Sequence, residues 1–311
     1  MSPPPYNVYI PPDGTFFNDY LIKHISPTKS SRFKNIEITS DINKADYLFC
    51  IGGCIQKLAR DKFSRERISA LRVEPPTGPS GRRHIKDGLG DLAFHSPVFF
   101  HCETLNRDYF FLKRAKPQKK INKCACYISS KRIVKHHVDR YNWLLKYVDL
   151  YPNDLDIFSV DDKVKKDFKG CFKKIEKEKE RITRYKKKGL FKKRLFEAFK
   201  YKNISKYKFF LALDNEMNLK DWCNDHLFDP ILCYCYTLYC GCPNISDYLD
   251  MKSIFQFRID DEESFRKVHE VLSNTNVDSS VMSSIDKNRN IILDDLNFFN
   301  LINTQIEKMA S

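Results

Sequence analysis

Long apolar runs are missing from this sequence. No stretch approaches the roughly 20 consecutive apolar residues that a transmembrane helix needs. The first residues, MSPPPYNVYIPPDGTFF, also lack the basic region followed by a hydrophobic run that is typical of a secretory signal. We therefore expect a soluble, cytoplasmic protein.

Cysteine motifs that hold zinc are missing as well. The 11 cysteines are an odd number, and the close pairs have C-x-C rather than CxxC spacing, which seldom makes a tetrahedral site unaided. The neighbours His136 and His137 point in different directions on a helix or a strand, which favours ordinary surface roles over a shared metal. We expect reduced thiols packed as small hydrophobic groups, and no bound metal. The pairs are Cys124–Cys126, Cys233–Cys235 and Cys240–Cys242.

Internal repeats, low-complexity linkers and the named nucleic-acid-binding motifs are absent too. The chain does have ample core material, because 42% of its 311 residues are hydrophobic and 14% are aromatic. A chain of this length exceeds what one hydrophobic core usually organises, so we predict two domains of about 150 residues each. The turn Tyr151-Pro152-Asn153 favours domains at 1–153 and 154–311, with a cleft between them.

Short apolar runs alternate with candidate helices along the whole chain. This alternation predicts an α/β fold with open parallel sheets. The run YKFFLAL has the length and composition of a buried parallel strand. The predicted elements are strands at 6–10, 46–51, 68–73, 125–129, 207–213 and 254–259, a helix at 134–147, and a helix followed by a strand within 222–240.

Two predicted strand ends carry polar residues or glycine. Ligands of open α/β sheets bind at the carboxyl ends of strands. At 213–215, either Asp221 or Asn224 can cap the next helix, whose first amides suit a phosphate. At 239–242, Gly241 permits a close approach of the backbone. The sequence leaves two interpretations of this stretch open, a plain turn and a crevice for a nucleotide.

The positive charge is concentrated in residues 163–208. This segment holds 20 of the 54 basic and 5 of the 40 acidic residues, so it accounts for the whole net charge of +14. Apolar residues at helical spacings predict amphipathic helices that are separated near Gly189. The segment is either a solvated helix face or a surface for a polyanion, an anionic membrane or an acidic substrate.

Residues 206–261 resemble the donor-binding motif of the α-1,3/α-1,4-fucosyltransferase family. The stretch KYKFFLALDNEMNLKDWCNDHLFDPILCYCYTLYCGCPNISDYLDMKSIFQFRIDD follows that motif in order and spacing. Its strand end, aromatic residue, helix start and N-x-x-x-Y element match the family's donor site. The resemblance therefore implies donor-binding roles for Asp214, Asn215, Trp222, Asn224, Asp225, His226 and Tyr248.

Two of these positions depart from the family pattern in their chemistry. Asp225, with its shorter side chain, stands where the family has a glutamate that holds ribose or sugar hydroxyls. His226 stands where the family has a lysine that binds the diphosphate. An unperturbed histidine is fully charged only below roughly pH 6.5, so the identity of the donor is open.

Upstream residues complete the resemblance. The strand Tyr127-Ile-Ser-Ser130 followed by Arg140 is similar to the family's phosphate-binding arginine element, with Arg132 as a rival. Glu74, at a predicted strand end before Pro-Pro, stands where the family places its general base. Its alternative interpretation is an ordinary turn carboxylate.

The resemblance implies a GT-B fold, in which two Rossmann-like domains face each other across a cleft. Residues 1–153 would bind the acceptor, 154–311 would bind the nucleotide-sugar donor, and one C-terminal helix would pack back on the first domain. The implied activity is inverting transfer of fucose, or a related sugar such as xylose, from GDP-fucose or another nucleotide sugar to a glycan or glycoprotein. No metal or other cofactor is implied, and the lack of an anchor suits a bacterial or viral enzyme.

Two alternatives remain at this stage. The chain could be an inactive descendant of the family. It could also be a nucleic-acid-binding or membrane-surface protein that uses residues 163–208. For the glycosyltransferase we expect no nucleic-acid partner. Any peripheral contact of that enzyme with a membrane would use the same segment.

Overall fold

The computed structural model describes residues 4–11, 19–51, 61–73, 92–99, 105–159, 161–173, 175 and 200–311. The strands are β1 (Tyr6–Tyr9), β2 (Arg32–Phe33), β3 (Ile36–Thr39), β4 (Tyr47–Ile51), β5 (Ile68–Leu71), β6 (Ala93–Phe94), β7 (Ile121–Tyr127), β8 (Leu155–Phe158), β9 (Tyr207–Leu213), β10 (Tyr236–Cys240) and β11 (Ile254–Gln256). The α-helices within these ranges are Tyr109–Arg114, Lys135–Leu150, Asp162–Asp167, Lys200–Ile204, Asp225–Leu232, Ser264–Asn274, Ser279–Asn290 and Phe298–Ala310.

The first sheet has the strand order β2-β3-β1-β4-β5-β6. The short edge strand β2 pairs with β3 in antiparallel fashion, and the other pairs are parallel. Without β2, the parallel strands follow the doubly wound order 2-1-3-4-5.

The second sheet has the order β11-β10-β9-β7-β8, and all of its pairs are parallel. Counted from β7, this is the same 2-1-3-4-5 order. The strand order reverses between β7 and β9, and the crevice outside the carboxyl ends of two such strands is where doubly wound sheets bind ligands.

The strands of the second sheet are buried on both faces. Phe209, Leu211 and Leu213 pack with the helix Lys135–Leu150, while the alternate residues of β9 pack with the helix Asp225–Leu232. Successive side chains of a strand point to opposite faces, so a strand covered by helices on both sides must be almost continuously apolar. The predicted α/β class, with two parallel sheets as in the GT-B arrangement, is confirmed.

The predicted strands recur with small changes at their ends. One strand, β7, lies in the second sheet, although the boundary predicted at 153/154 assigns it to the first domain. β7 begins at Ile121 and pairs with β8 and β9, and the helix Lys135–Leu150 packs against the same sheet. The first residues of β7 are polar or exposed, so the apolar pattern of this strand is short. The chain passes from the first sheet to the second before Ile121, ahead of the boundary predicted at 153/154. The division into domains itself stays a prediction.

The last helix returns to the first sheet, as the resemblance implies. Asn303 Oδ1 in the helix Phe298–Ala310 accepts a hydrogen bond of 3.0 Å from the backbone N–H of Asn35. The rings of Phe298 and Phe49 form an edge-on contact with centroids 5.8 Å apart. This helix therefore joins the C-terminal end of the chain to the N-terminal sheet.

Three further predictions concern cysteines, membranes and the basic segment. The nine cysteines that the structure describes are all buried, as expected for thiols packed as small hydrophobic groups. No helix among the described residues is long and apolar enough to cross a membrane. In the basic segment the described parts hold the helices Asp162–Asp167 and Lys200–Ile204, and residues 176–199 lie outside the description.

Candidate functional site

The candidate site lies at the carboxyl end of β9, beside the point where the strand order of the second sheet reverses. The carbonyl oxygen of Leu213, the last residue of β9, accepts two hydrogen bonds there. Arg140 Nη1 donates at 2.8 Å and His226 Nδ1 donates at 2.9 Å. Residues from two different helices thus converge on one backbone carbonyl.

Arg140 supplies a buried cation to this edge. Its side chain enters from the helix Lys135–Leu150 and is 3% exposed. Burial lowers its pKa, and the nearby Asp214 opposes that shift. Nε of Arg140 has no hydrogen-bond partner among the described residues. Because arginine keeps its charge in proteins, this guanidinium retains the capacity to bind an anion.

Asp214 is a fully buried carboxyl group. Tyr239 Oη donates to Asp214 Oδ2 at 2.6 Å, whereas Oδ1 has no hydrogen-bond partner in the described part of the chain. Burial raises the pKa of Asp214 to about 7, reinforced by Asp225 and opposed by the hydrogen bond from Tyr239 and the charge of Arg140. The carboxyl group is therefore partly protonated at neutral pH and does not face solvent in this conformation.

The stretch Tyr239-Cys240-Gly241-Cys242 closes around Asp214. Tyr239 Oη accepts a hydrogen bond of 2.8 Å from the backbone N–H of Cys242 while it donates to Asp214. A Cβ on Gly241 would lie 2.2 Å from Tyr239 Oη and 2.6 Å from Asp214 Oδ2. Glycine is thus required because the tyrosine–carboxyl pair occupies the space of a side chain.

His226 is a neutral imidazole near pH 7. Burial lowers its pKa to about 4, which outweighs the opposing effect of Asp225. Because a carbonyl can only accept, Nδ1 must carry the proton that bonds to Leu213, and Nε2 is left as an acceptor. The site therefore has no positive charge at the position where the family resemblance implies a lysine.

Asn215 and Glu216, which follow Asp214, are held by two adjacent histidines. His137 Nε2 lies 3.0 Å from Asn215 Oδ1, and His136 Nε2 lies 2.8 Å from Glu216 Oε1. Glu216 Oε1 also accepts from the backbone N–H of Met217 at 3.0 Å. The expectation of ordinary surface roles for these histidines is wrong: His137 is 7% exposed, and both histidines fix the loop after β9.

The helix Asp225–Leu232 begins at the same edge. Asn224 is its N-cap, since its side chain accepts a hydrogen bond of 2.8 Å from the backbone N–H of His226. Asp225 is paired with the buried Lys200, whose Nζ lies 2.6 Å from Asp225 Oδ2 and 3.0 Å from Asp229 Oδ2. The carboxylate of Asp225 is thus neutralised by Lys200 in this conformation.

Trp222 links this edge to the first sheet. Its Nε1 donates a hydrogen bond of 3.3 Å to the carbonyl of Val73, just beyond β5. Glu74, the predicted base, is the next residue and lies outside the described residues. The carboxyl end of β5 and the loop after β9 are therefore neighbours.

Tyr248 belongs to a separate cluster next to Trp222. Its hydroxyl donates to Asp221 Oδ1 at 2.6 Å, and Asn244 Nδ2 donates to the same oxygen at 2.8 Å. These two hydrogen bonds lower the pKa of Asp221. Asp221 thus anchors the loop before the helix Asp225–Leu232 and does not cap that helix.

Arg132, the alternative to Arg140 as the phosphate-binding arginine, lies over the ring of Tyr141.

The described residues contain no group of three or more His, Cys, Asp and Glu side chains placed to hold a metal ion. Besides the Lys200–Asp225 pair, the site offers the buried cation of Arg140, a partly protonated carboxyl group, a neutral imidazole and the amide of Asn215. Such a set can bind a phosphate-bearing ligand through hydrogen bonds and the charge of Arg140. Sequence reasoning missed Tyr239 and Lys200, although a hydroxyl at the end of a buried strand signals that it needs a partner.

No family model and no curated protein sequence matches this chain. It is similar to solved structures of an α1,3-fucosyltransferase with GDP, at a TM-score of 0.47 and 12% identity over 99% of this chain and 92% of that chain. The structure with GDP-fucose gives 0.47 and 13%, over 99% and 91%. The S. aureus MnaA–UDP structure gives 0.44 and 9%, over 96% and 95%. At such identities the donors and acceptors of those proteins do not carry over to this chain.

Proposed function

We propose that this protein is an inverting glycosyltransferase that moves fucose, or a related sugar such as xylose, from a nucleoside-diphosphate sugar to a hydroxyl of a glycan. The observation that carries the proposal is the convergence of Arg140 and His226 on the Leu213 carbonyl, beside Asp214 and Asn215. Asp214, Asn215 and His226 match the resemblance of 206–261, and Arg140 matches the upstream arginine element. All four residues meet where a doubly wound sheet binds its ligands.

Each group has a distinct task in this reaction. Glu74 takes the proton from the acceptor hydroxyl as its oxygen bonds to C1 of the sugar. The bond from C1 to the phosphate oxygen breaks, and the nucleoside diphosphate leaves with the electron pair. Arg140 and the positive end of the helix Asp225–Leu232 stabilise the charge on that leaving group.

The neutral ring of His226 and the pairing of Asp225 with Lys200 define how the donor is bound. With no cation at position 226, Arg140 is the main charge for the diphosphate within the described site. Asn215 contributes hydrogen bonds, and His226 Nε2 accepts one from a hydroxyl of the donor. We therefore expect weaker dependence of binding on phosphate charge than a site with both arginine and lysine would have.

The first experiment is calorimetric and thermal-shift titration of the purified protein with GDP, UDP, GDP-fucose, UDP-xylose and UDP-glucose, without metal. Selective binding of one nucleotide supports the proposal and identifies the donor class. Absence of any response contradicts it and favours an inactive descendant, for which the neutral His226 and the Asp225–Lys200 pair are the structural arguments.

A pair of buried arginines provides a matched test of the site. Arg140→Met should abolish nucleotide binding, because it removes the cation from the strand end. Arg289→Met is the control: Arg289 is also 3% exposed, but it donates to the carbonyls of Leu232 and Leu112. Both variants should lose stability, and only Arg140→Met should lose binding at a temperature where both are folded. Equal binding by the two would contradict the assignment of Arg140.

A further inference from the structure

His137 lies at the junction between the adjacent strands β7 and β9 of the second sheet. It lies in the first turn of the helix that follows β7, and its ring reaches the loop that follows β9. His137 and its partner Asn215 are 78 positions apart in the sequence. The ring therefore bridges the two strand ends that flank the reversal of strand order.

The hydrogen bonds of His137 fix its tautomer. The backbone N–H of Ile133 donates to His137 Nδ1 at 3.3 Å, so Nδ1 must be the acceptor nitrogen. The proton of the neutral ring then resides on Nε2, which donates to Asn215 Oδ1 at 3.0 Å. Burial, reinforced by Arg140, lowers the pKa of His137 to about 4, so this neutral form persists near pH 7.

The tautomer in turn fixes the orientation of the Asn215 amide. Because Oδ1 accepts from the ring, Nδ2 is directed away from it, and no described residue accepts a hydrogen bond from Nδ2. Asn215 is only partly buried, at the edge that holds Arg140 and Asp214. A ligand at this edge therefore meets two amide N–H donors, which match phosphate, ribose or sugar oxygens.

We propose that His137 is the positioning residue that orients Asn215 as a hydrogen-bond donor to an oxygen of the bound nucleoside diphosphate. This inference rests on the proposed function for the identity of the ligand. The relay itself, from the Ile133 amide through the imidazole to the Asn215 amide, rests on geometry alone. His137 acts through Asn215 and needs no contact with the reacting atoms.

The test compares replacements that keep or remove the donor. His137→Gln introduces a side-chain amide whose N–H can take the place of the imidazole Nε2–H, so this variant should bind GDP or UDP within about threefold of the wild type. His137→Leu removes both nitrogens and should weaken binding about tenfold. His269→Leu is the control for stability. His269 is a partly buried histidine on the helix Ser264–Asn274, and its Nδ1 lies 2.9 Å from Asp154 Oδ2.

A double-mutant cycle separates positioning from general destabilisation. In an Asn215→Ala background, His137→Leu should cause no further loss of affinity, although it should still lower the melting temperature. An additive loss of affinity, or unchanged affinity in His137→Leu alone, would overturn the proposal.

An NMR measurement keeps this proposal distinct from the proposed function. The side-chain amide protons of Asn215 should shift and exchange faster in His137→Leu but not in His269→Leu, with or without nucleotide. If they do so while the wild type binds neither GDP nor UDP, the relay stands and the glycosyltransferase proposal fails. If they are unaffected by His137→Leu, the relay is wrong even if the protein binds nucleotides.

Discussion

At the scale of single residues, the protonation of buried groups decides the chemistry of the site. Three titratable groups gather around the Leu213 carbonyl and the residue that follows it. Burial lowers the pKa of His226 to about 4 and raises that of Asp214 to about 7, while Arg140 remains charged. A diphosphate would thus meet one strong cation and several hydrogen-bonding groups.

The first residue-scale prediction concerns the missing cation. His226→Lys should strengthen binding of GDP or UDP several-fold at pH 7–8, because it adds a charge where the wild type has a neutral ring. Calorimetry in parallel with the wild type measures the change. Since the pKa of His226 is about 4, the wild type should gain nothing from this residue between pH 8 and pH 6. A weaker or equal affinity of the lysine variant would remove position 226 from the phosphate site.

The second residue-scale prediction concerns stability and pH. The pKa of Asp214 is raised from 3.8 to about 7 in the folded state. Between pH 4 and pH 7 the folded state therefore keeps a proton on this carboxyl group that the unfolded state has lost. The free energy of unfolding consequently falls as pH rises from 4 to 7. Asp214→Asn stays neutral and can still accept from Tyr239. The variant should therefore be more stable than the wild type at pH 8, by on the order of 2 kcal/mol, and the difference should shrink at pH 5.

Thermal unfolding across pH 5–8 tests this expectation. Asp247→Asn, a change at an exposed aspartate, serves as the control and should follow the wild type at every pH. His137 and His226 titrate in the opposite sense, because their lowered pKa values remove stability as pH falls below about 6.5. They are present in all three proteins, so their titration changes the stability of all three in the same direction. A constant difference across this range would show that Asp214 is ionised throughout.

At the scale of elements, the start of the helix Asp225–Leu232 joins local structure to ligand binding. Asn224 satisfies a first-turn amide and so fixes the end of the helix at the carboxyl edge of β9. Helix N-termini carry a partial positive charge and bind anions. We therefore expect a cap in this position to have both a structural and a binding effect.

Two helix caps of similar design allow these effects to be separated. Asn224→Ala and Asp278→Ala should each cost about 1 kcal/mol of stability, because each removes a capping hydrogen bond. Asp278 caps the helix Ser279–Asn290, outside the candidate site. Only Asn224→Ala should weaken nucleotide binding in addition. Equal affinities of the two variants would limit Asn224 to a structural role.

At the scale of the whole molecule, the proposed transfer reaction needs the ends of the two sheets to lie close together. The Trp222 indole bonds to the carbonyl of Val73, so the loop after β9 lies beside the end of β5. The C-terminal helix adds a second connection by packing on the first sheet. The end of β5, at Val73, therefore lies beside the candidate site at the end of β9.

The molecule-scale prediction separates transfer from binding. Glu74→Gln should abolish sugar transfer, because it removes the proposed proton acceptor, and should leave nucleotide affinity within a few-fold of the wild type. Glu66→Gln is a matched control, since Glu66 is an exposed glutamate just before β5 and should retain activity. A parallel loss of transfer and binding in Glu74→Gln would assign Glu74 to structure.

The sequence by itself determined the α/β class, most strand positions, the helix at 135–150 and the residues at the end of β9. These features follow from local periodicity and from buried parallel strands, whose apolar composition is visible in a single run of residues. The sequence limited the cap to Asp221 or Asn224 for the same reason, because an N-cap acts within three residues of its own position, and the structure selects Asn224.

Only the tertiary structure decided the sheet to which β7 belongs, the pairing of Asp225 with Lys200, and the relay from His137 to Asn215. The partners in the last two lie 25 and 78 positions apart, so local patterns do not encode their contact. The charge states of Asp214 and His226 were decided in the same way. Desolvation depends on how completely other elements cover a group, and that coverage exists only when the chain is folded.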